Sequence, residues 1–336
     1  MKSHKNIPVF VVHEGCLHKC VFCSQGTITG KGNLRAEVES VRETVAHALE
    51  TAQDSETEIA FFGGSFTGIE RSRMVALLEC AYGFVREGKA CGIRLSTRPD
   101  YIDRERLDIL RDYGVTAIEL GVQSMDDRVL AASERGHTAD DTRKAFALIN
   151  EYGVFEPVGQ MMTGLPESTP ELEEYTAREI VSFGCRQARI YPTVVMPGTK
   201  LWEMEREGVY TAPDAENMIA RCARVLSIFR ENGVKVIRLG LQDVPDVRKC
   251  EKYDSAFGER VWSRLYLDEV LKQAGSEKAV DIFVPKRYIS RLVGQKRENI
   301  EKLKSKYGFE YIKIKVCDGA LPENGLVRVA AIGKGK

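Results

Sequence analysis

The sequence predicts an α/β fold, a partial (β/α)6 barrel of the TIM type followed by a small α+β domain. Two patterns carry this expectation. Short apolar runs rich in β-branched and aromatic residues alternate with longer stretches of helical periodicity, the signature of βα units around a parallel sheet. Charge divides the chain: residues 276–336 hold 14 Lys and Arg against 7 Asp and Glu, whereas the first 275 hold 35 against 42. A chain of 336 residues exceeds one small domain, so residues 1–275 are expected to form the barrel with a helical extension and residues 276–336 a basic second domain.

The elements follow in order. "VFVV" (9–12) precedes a cysteine-bearing loop and a helix near 35–51, and "EIAFF" (58–62) precedes a helix near 71–87. "GIRLS" (92–96), "AIELG" (117–121), "VGQMMTG" (158–164) and "ARIYP" (188–192) then each lead through a polar loop into a helix, which makes six units. A seventh apolar run, "VKVIRLG" (234–240), follows the helical stretch 216–232. The polar loops sit at the C-terminal ends of the strands, the edge where parallel barrels bind ligands. "AGSEKAV" (274–280) reads as the linker.

The opening "MKSHKNIPVFVV" holds only a six-residue apolar run, too short for a signal h-region or a membrane span. The expected location is the cytoplasm, with no membrane partner. Six of the nine cysteines (Cys80, Cys91, Cys185, Cys222, Cys250, Cys317) are scattered singly, as in a reducing compartment rather than a disulfide framework.

The other three, Cys16, Cys20 and Cys23, stand in one loop with Cys-x3-Cys-x2-Cys spacing. Thiolates are soft ligands for zinc, Cu(I) or iron–sulfur centres. A closed zinc site takes four ligands, usually in two short pairs; no second pair exists here, although His13 or His18 offers a fourth donor. Three thiolates on a [4Fe–4S] cube leave one iron open to another molecule.

This spacing, with Phe22 before the last cysteine, resembles the radical S-adenosylmethionine (radical SAM) superfamily. The resemblance implies a [4Fe–4S] cluster on Cys16, Cys20 and Cys23 whose open iron chelates SAM, and reductive cleavage of SAM to methionine and a 5′-deoxyadenosyl radical. The other strand ends suit such a ligand. "FFGGSFTG" offers Gly63 and Gly64 for close backbone approach and the Ser65 hydroxyl; "RLSTRPDYID" offers Ser96 and Arg98, with Asp100. Gln123, Gln160 and Arg135 follow, the last with a planar fork suited to a carboxylate.

"FFGGSFTG", "LSTRPDYID", "IELGVQSMDDRVL", "RGHTADD", "GQMMTGLP", "RIYPTVVMPGTKL" and "VIRLGLQ" together resemble the elongator protein 3-like (Elp3-like) branch, over about residues 7–260. By position this implies SAM contacts at Gly64, Ser65, Ser96, Gln123, Arg135 and Gln160. Elp3 joins such a domain to an acetyl-CoA-binding acetyltransferase and modifies wobble uridine in transfer RNA. The present chain has no room for that domain, and "CEKYDSAFG" (250–258) carries Asp254 where relatives tend to have histidine. Tyr191, Cys250 and Tyr253 are candidates for quenching a radical, by type and place alone.

Residues 281–331 read as β-α-loop-α-β-β around "VGQKRENIEKL", an order that resembles a KH domain. KH domains clamp about four nucleotides of single strand with a GxxG loop. Here the loop is Gly294, Gln295, Lys296 and Arg297, with arginine at the second glycine position. The sequence therefore points to a radical SAM enzyme acting on RNA, transfer RNA first, reduced by a donor such as flavodoxin or ferredoxin. One alternative keeps the radical chemistry on a small molecule such as a tetrapyrrole, with a structural tail; the other is a non-catalytic, zinc-stabilised RNA-binding protein.

Overall fold

The computed structural model describes residues 5–11, 16, 18–23, 33–51, 57–241, 253–317 and 325–332. Its larger part alternates strands and helices: β1 (Lys5–Phe10), α1 (Leu34–Thr51), β2 (Thr57–Phe62), α2 (Arg71–Arg86), β3 (Gly92–Thr97), α3 (Arg104–Asp112), β4 (Val115–Gln123), α4 (Asp127–Ala132), α5 (Ala139–Tyr152), β5 (Glu156–Thr163), α6 (Pro170–Ser182), β6 (Gln187–Pro192), α7 (Lys200–Arg206), α8 (Ala215–Glu231) and β7 (Lys235–Leu239). The strands lie side by side in chain order, every neighbouring pair parallel, in one curled half-barrel sheet. The (β/α)6 expectation gains a strand, because "VKVIRLG" pairs with β6 from Gln187↔Lys235 onward. β1 starts earlier than "VFVV", pairing with β2 from Lys5↔Thr57. Pro8 lies within it, which an edge strand tolerates because one side of its backbone needs no ladder partner.

Alternation along the strands sorts the residues into two layers. Ile59, Phe61, Ile93, Leu95, Ile118 and Leu120 are buried in the apolar core. The intervening residues share the other face, where Arg94, Ser96, Glu119, Gln160 and Arg189 stand beside Ala60, Ala117 and Gly121. Helix starts are fixed locally. Asp103, Asp126, Thr138, Thr169, Thr199 and Asp214 each accept a hydrogen bond from a first-turn backbone N–H, a device worth about 1 kcal/mol per helix.

A long helix, α9 (Phe257–Ala274), leads into β8 (Ala279–Val284), the short α10 (Ile289–Val293), α11 (Glu298–Ser305), β9 (Tyr311–Val316) and β10 (Arg328–Ala331). The small sheet has the order β10-β8-β9, with β8 parallel to β9 and antiparallel to β10. Asp254, at the site of the expected histidine, accepts a hydrogen bond from Ala256 N–H at 2.8 Å and opens α9. α9 packs against α8 on one side and α10, α11 and β10 on the other. One apolar core runs through both parts of the chain, from Ile59 through Leu226, Val261 and Val270 to Ile282 and Leu303.

Candidate functional site

The site candidates converge at the C-terminal ends of the barrel strands. Cys16, Cys20 and Cys23 are half-buried, and none of the described cysteines is in a disulfide. Cys16 Sγ lies 3.3 Å from Ser65 Oγ, and Cys23 N–H donates to Cys20 O at 3.0 Å in a tight turn. Arg135 Nη1 donates to Cys20 Sγ at 3.2 Å, while its Nη2 donates to Gly121 O at 2.7 Å. The loop is docked by its backbone as well: Val21 N–H donates to Ser133 O, and Val21 O accepts from Leu201 N–H. The His18 ring covers Gly136, whose φ of +73° and missing side chain leave room for it; a Cβ there would fall 2.4 Å from the ring. Among the described residues no three Cys, His, Asp or Glu side chains are gathered round one point.

A set of buried polar groups adjoins this loop. Arg98, 3 % exposed, spends Nε and Nη2 on the two oxygens of Asp100, each at 2.8 Å. Burial opposes its charge, but Asp100 and the fields of Cys20 and Cys16 more than offset that and raise its pKa. Arg98 Nη1, Arg135 Nε and Gln123 Oε1 are buried without a hydrogen-bond partner among the described residues. His137, 4 % exposed, is held neutral: burial first, then the positive Arg135 and Arg98, bring its pKa down to about 3. Gln123 sits at φ +63° beyond a register shift in β4, a costly conformation for a residue with a side chain. Gly63 is also left-handed, and a Cβ there would meet Val11 O at 3.0 Å.

Unsatisfied buried polar atoms cost free energy unless a ligand completes them. Soft sulfur donors beside a guanidinium fit an anionic thiolate cluster, and the orphaned donors and acceptor fit a zwitterion. The residues at this edge are therefore suited to a metal–sulfur group with SAM beside it.

Ser96 and Gln160 lie one layer below. Gln160 Nε2 donates to Ser96 Oγ at 3.0 Å and to Glu119 Oε2 at 2.7 Å. Glu119 is fully buried and also takes Arg94 Nη1 at 3.2 Å and Arg189 Nη2 at 2.8 Å; Arg94 in turn donates Nε to Glu58 at 2.8 Å. Reading the strands as apolar runs passed over this network, although its signal was present: one charged residue inside each of "GIRLS", "AIELG" and "ARIYP". His137 was missed too, having no spacing partner.

The radical-quenching candidates separate. Tyr191 packs against the Val129, Met162 and Leu165 cluster together with Phe22 of the cysteine loop, and burial raises its pKa. The Tyr253 hydroxyl accepts from Leu241 N–H at 2.7 Å while its ring stacks on Phe257, a structural posture. Cys250 lies outside the described residues. Behind the cysteine loop a cavity of about 390 Å³ is lined by Leu165, Ser168, Met204, Tyr210 and Arg221, within the size range of small-molecule sites.

In the small domain Gly294 packs tightly, its φ at +78° and a Cβ position 3.0 Å from Ser263 Oγ of α9. Gln295, Lys296 and Arg297 are exposed, the last two with positive φ. Asn299 Nδ2 donates to Ser263 O and Leu292 O, fastening the loop to α9. Arg291 and Lys302 are engaged by Glu259 and Glu216. No helix among the described residues is long and apolar enough to cross a membrane.

Known proteins resemble the chain in sequence and in fold. The family model described as "Radical SAM superfamily" matches residues 10–180, and "Radical_SAM C-terminal domain" matches 185–266. The chain is 27% identical over 273 residues to a tRNA uridine(34) acetyltransferase of Dehalococcoides mccartyi, covering 68% of this chain and 59% of that protein. It is 28% identical over 282 residues to an uncharacterised protein of Methanocaldococcus jannaschii, covering 80% and 85%. The structure of Methanocaldococcus infernus Elp3 with an N-terminal deletion shares the fold, with a TM-score of 0.61 and 23% identity over 78% of this chain and 62% of that one. The cofactors of the matched family are a [4Fe–4S] cluster and SAM, and the chain belongs to the radical SAM superfamily, with its likenesses in the Elp3-like branch.

Proposed function

We propose that this chain is an RNA-modifying radical SAM enzyme, with transfer RNA as substrate and a wobble uridine as its target. The observation that carries the radical SAM part of the proposal is the set of buried, incompletely satisfied groups on Arg98, Gln123 and Arg135 beside the cysteine loop. Cys16, Cys20 and Cys23 hold the cluster. When bound, the cluster, given one electron by a donor protein such as flavodoxin or ferredoxin, would supply reductive cleavage of the SAM sulfonium to methionine and a 5′-deoxyadenosyl radical. Arg135 braces the Cys20 sulfur and offers its remaining N–H to the SAM carboxylate; Gly63, Gly64 and Ser65 approach the amino group. Gln123 adds an acceptor at the strand end. Ser96 and Gln160, fixed by Glu119, form the floor, while neutral His137 adds no charge. Tyr191, beside Phe22, is the candidate to deliver a hydrogen atom.

The RNA assignment is supported by the Dehalococcoides relative, a tRNA uridine(34) acetyltransferase, and by the exposed Gln295, Lys296 and Arg297 beside Gly294, in a domain whose element order resembles KH. Residues 276–336 are accordingly assigned to substrate binding. The test is mass spectrometry of modified nucleosides in transfer RNA from cells with and without the gene, complemented by wild type or Cys20→Ala. One nucleoside is expected to disappear with the gene and return with wild type only. Identical nucleoside profiles would overturn the assignment, as would rescue by Cys20→Ala.

A further inference from the structure

The small sheet covers only one of its faces. Val280, Ile282 and Val284 of β8 are fully buried against the helices. The alternate residues turn the other way, and the pairing sets them in rows: Lys313 beside Asp281, and Lys315 and Arg328 on either side of Phe283. The Arg328 guanidinium lies 3.9 Å from the Phe283 ring centroid, and Lys315 Nζ lies 5.4 Å from it. Tyr311, at the start of β9, is 48 % exposed, and Lys313 and Arg328 are exposed as well. Asp281 is the carboxylate of this face among the described residues, and Lys315 already engages it.

Flat rings interleaved with cations, and little negative charge, are what a single nucleic-acid strand needs. Bases stack on aromatic rings or guanidinium planes while phosphates meet lysine and arginine. A protein partner fits less well, because the centres of protein interfaces are depleted of charge, whereas here charge occupies the central rows. We propose that the open face of this sheet binds a segment of single-stranded RNA beyond the nucleotides held at Gly294–Arg297. The proposal rests on the RNA reading above and adds a second contact surface to it.

The test uses the full chain and fluorescence anisotropy with labelled single-stranded RNAs of about four and roughly twelve nucleotides, the shorter matching one GxxG-type loop. Tyr311→Ser with Lys313→Gln, both exposed positions, is expected to bind the short RNA as wild type does and the long one at least about fivefold more weakly, one lost stacking contact being enough. Lys296→Ala with Arg297→Ala weakens both. For the long RNA, Lys313→Gln with Arg328→Gln lowers the slope of log affinity against log salt by about 1.4. Unchanged long-RNA binding in the face variants would overturn the second surface alone. A wild type that binds neither RNA would overturn both this surface and the RNA reading. A wild-type dimer that the Tyr311 variant converts to monomer in sedimentation would give the face to a second copy of the chain and overturn the proposal.

Discussion

Glu119 accepts hydrogen bonds from Arg94, Ser96, Gln160 and Arg189 without exposure to water. Its carboxylate is the counter-charge that lets Arg94, 1 % exposed, and Arg189 stay inside the barrel. Truncating one partner of such a network strands the others as buried, unpaired charges, which costs about 3–5 kcal/mol. Glu119→Ala is therefore expected to lower the unfolding free energy by about that much, measured by urea denaturation. A loss near zero would mean that water or the arginines themselves relieve the site. At this scale the sequence was only partly legible. The cysteines declared themselves by spacing, and Ser96 and Gln160 stood out as candidate SAM contacts, but that both meet Glu119 shows only once the strands pair.

The cysteine loop is an element held from outside, by hydrogen bonds to Ser133 and Leu201 and by the His18 ring on Gly136. Gly136 combines a positive φ with a close approach, so a methyl group there is doubly unfavourable. Gly136→Ala is expected to leave far-UV circular dichroism unchanged while lowering the iron bound per chain after anaerobic reconstitution to below half that of wild type. Full iron loading in that variant would mean that the loop does not depend on this contact. "RGHT" was legible as a candidate ligand contact through Arg135. Its glycine was not, because nothing local to residues 135–138 says that a histidine more than a hundred positions earlier will rest on it.

At the scale of the whole molecule, α9 belongs to two packing partners. Its buried residues include Val261, Leu265, Leu267 and Val270, and the sequence linker "AGSEKAV" shrinks to a turn between Ala274 and Ala279. Removing residues 276–336 would expose apolar surface at roughly 25 cal/mol per Å². That truncation is expected to lower the melting temperature by more than 5 °C and to aggregate, whereas Lys296→Ala with Arg297→Ala should melt as wild type does. A truncated chain with an unchanged melting temperature would show that the barrel is independent of the tail. RNA binding is thus better probed with the loop variant than by deletion, since deletion perturbs the fold.

The sequence by itself determined what is local in the chain: the three-cysteine spacing, the βα alternation and the β-α-loop-α-β-β order of the tail. Period, capping and ligand spacing act over a few residues, so they are written in consecutive letters. Tertiary structure decided the rest, namely the seventh strand, the Glu119 network, the seat of His18 on Gly136 and the double duty of α9. Each depends on groups far apart in the chain meeting across a sheet or helix face, where burial sets their energy. A single sequence names the charged residues of such a meeting but not their partners.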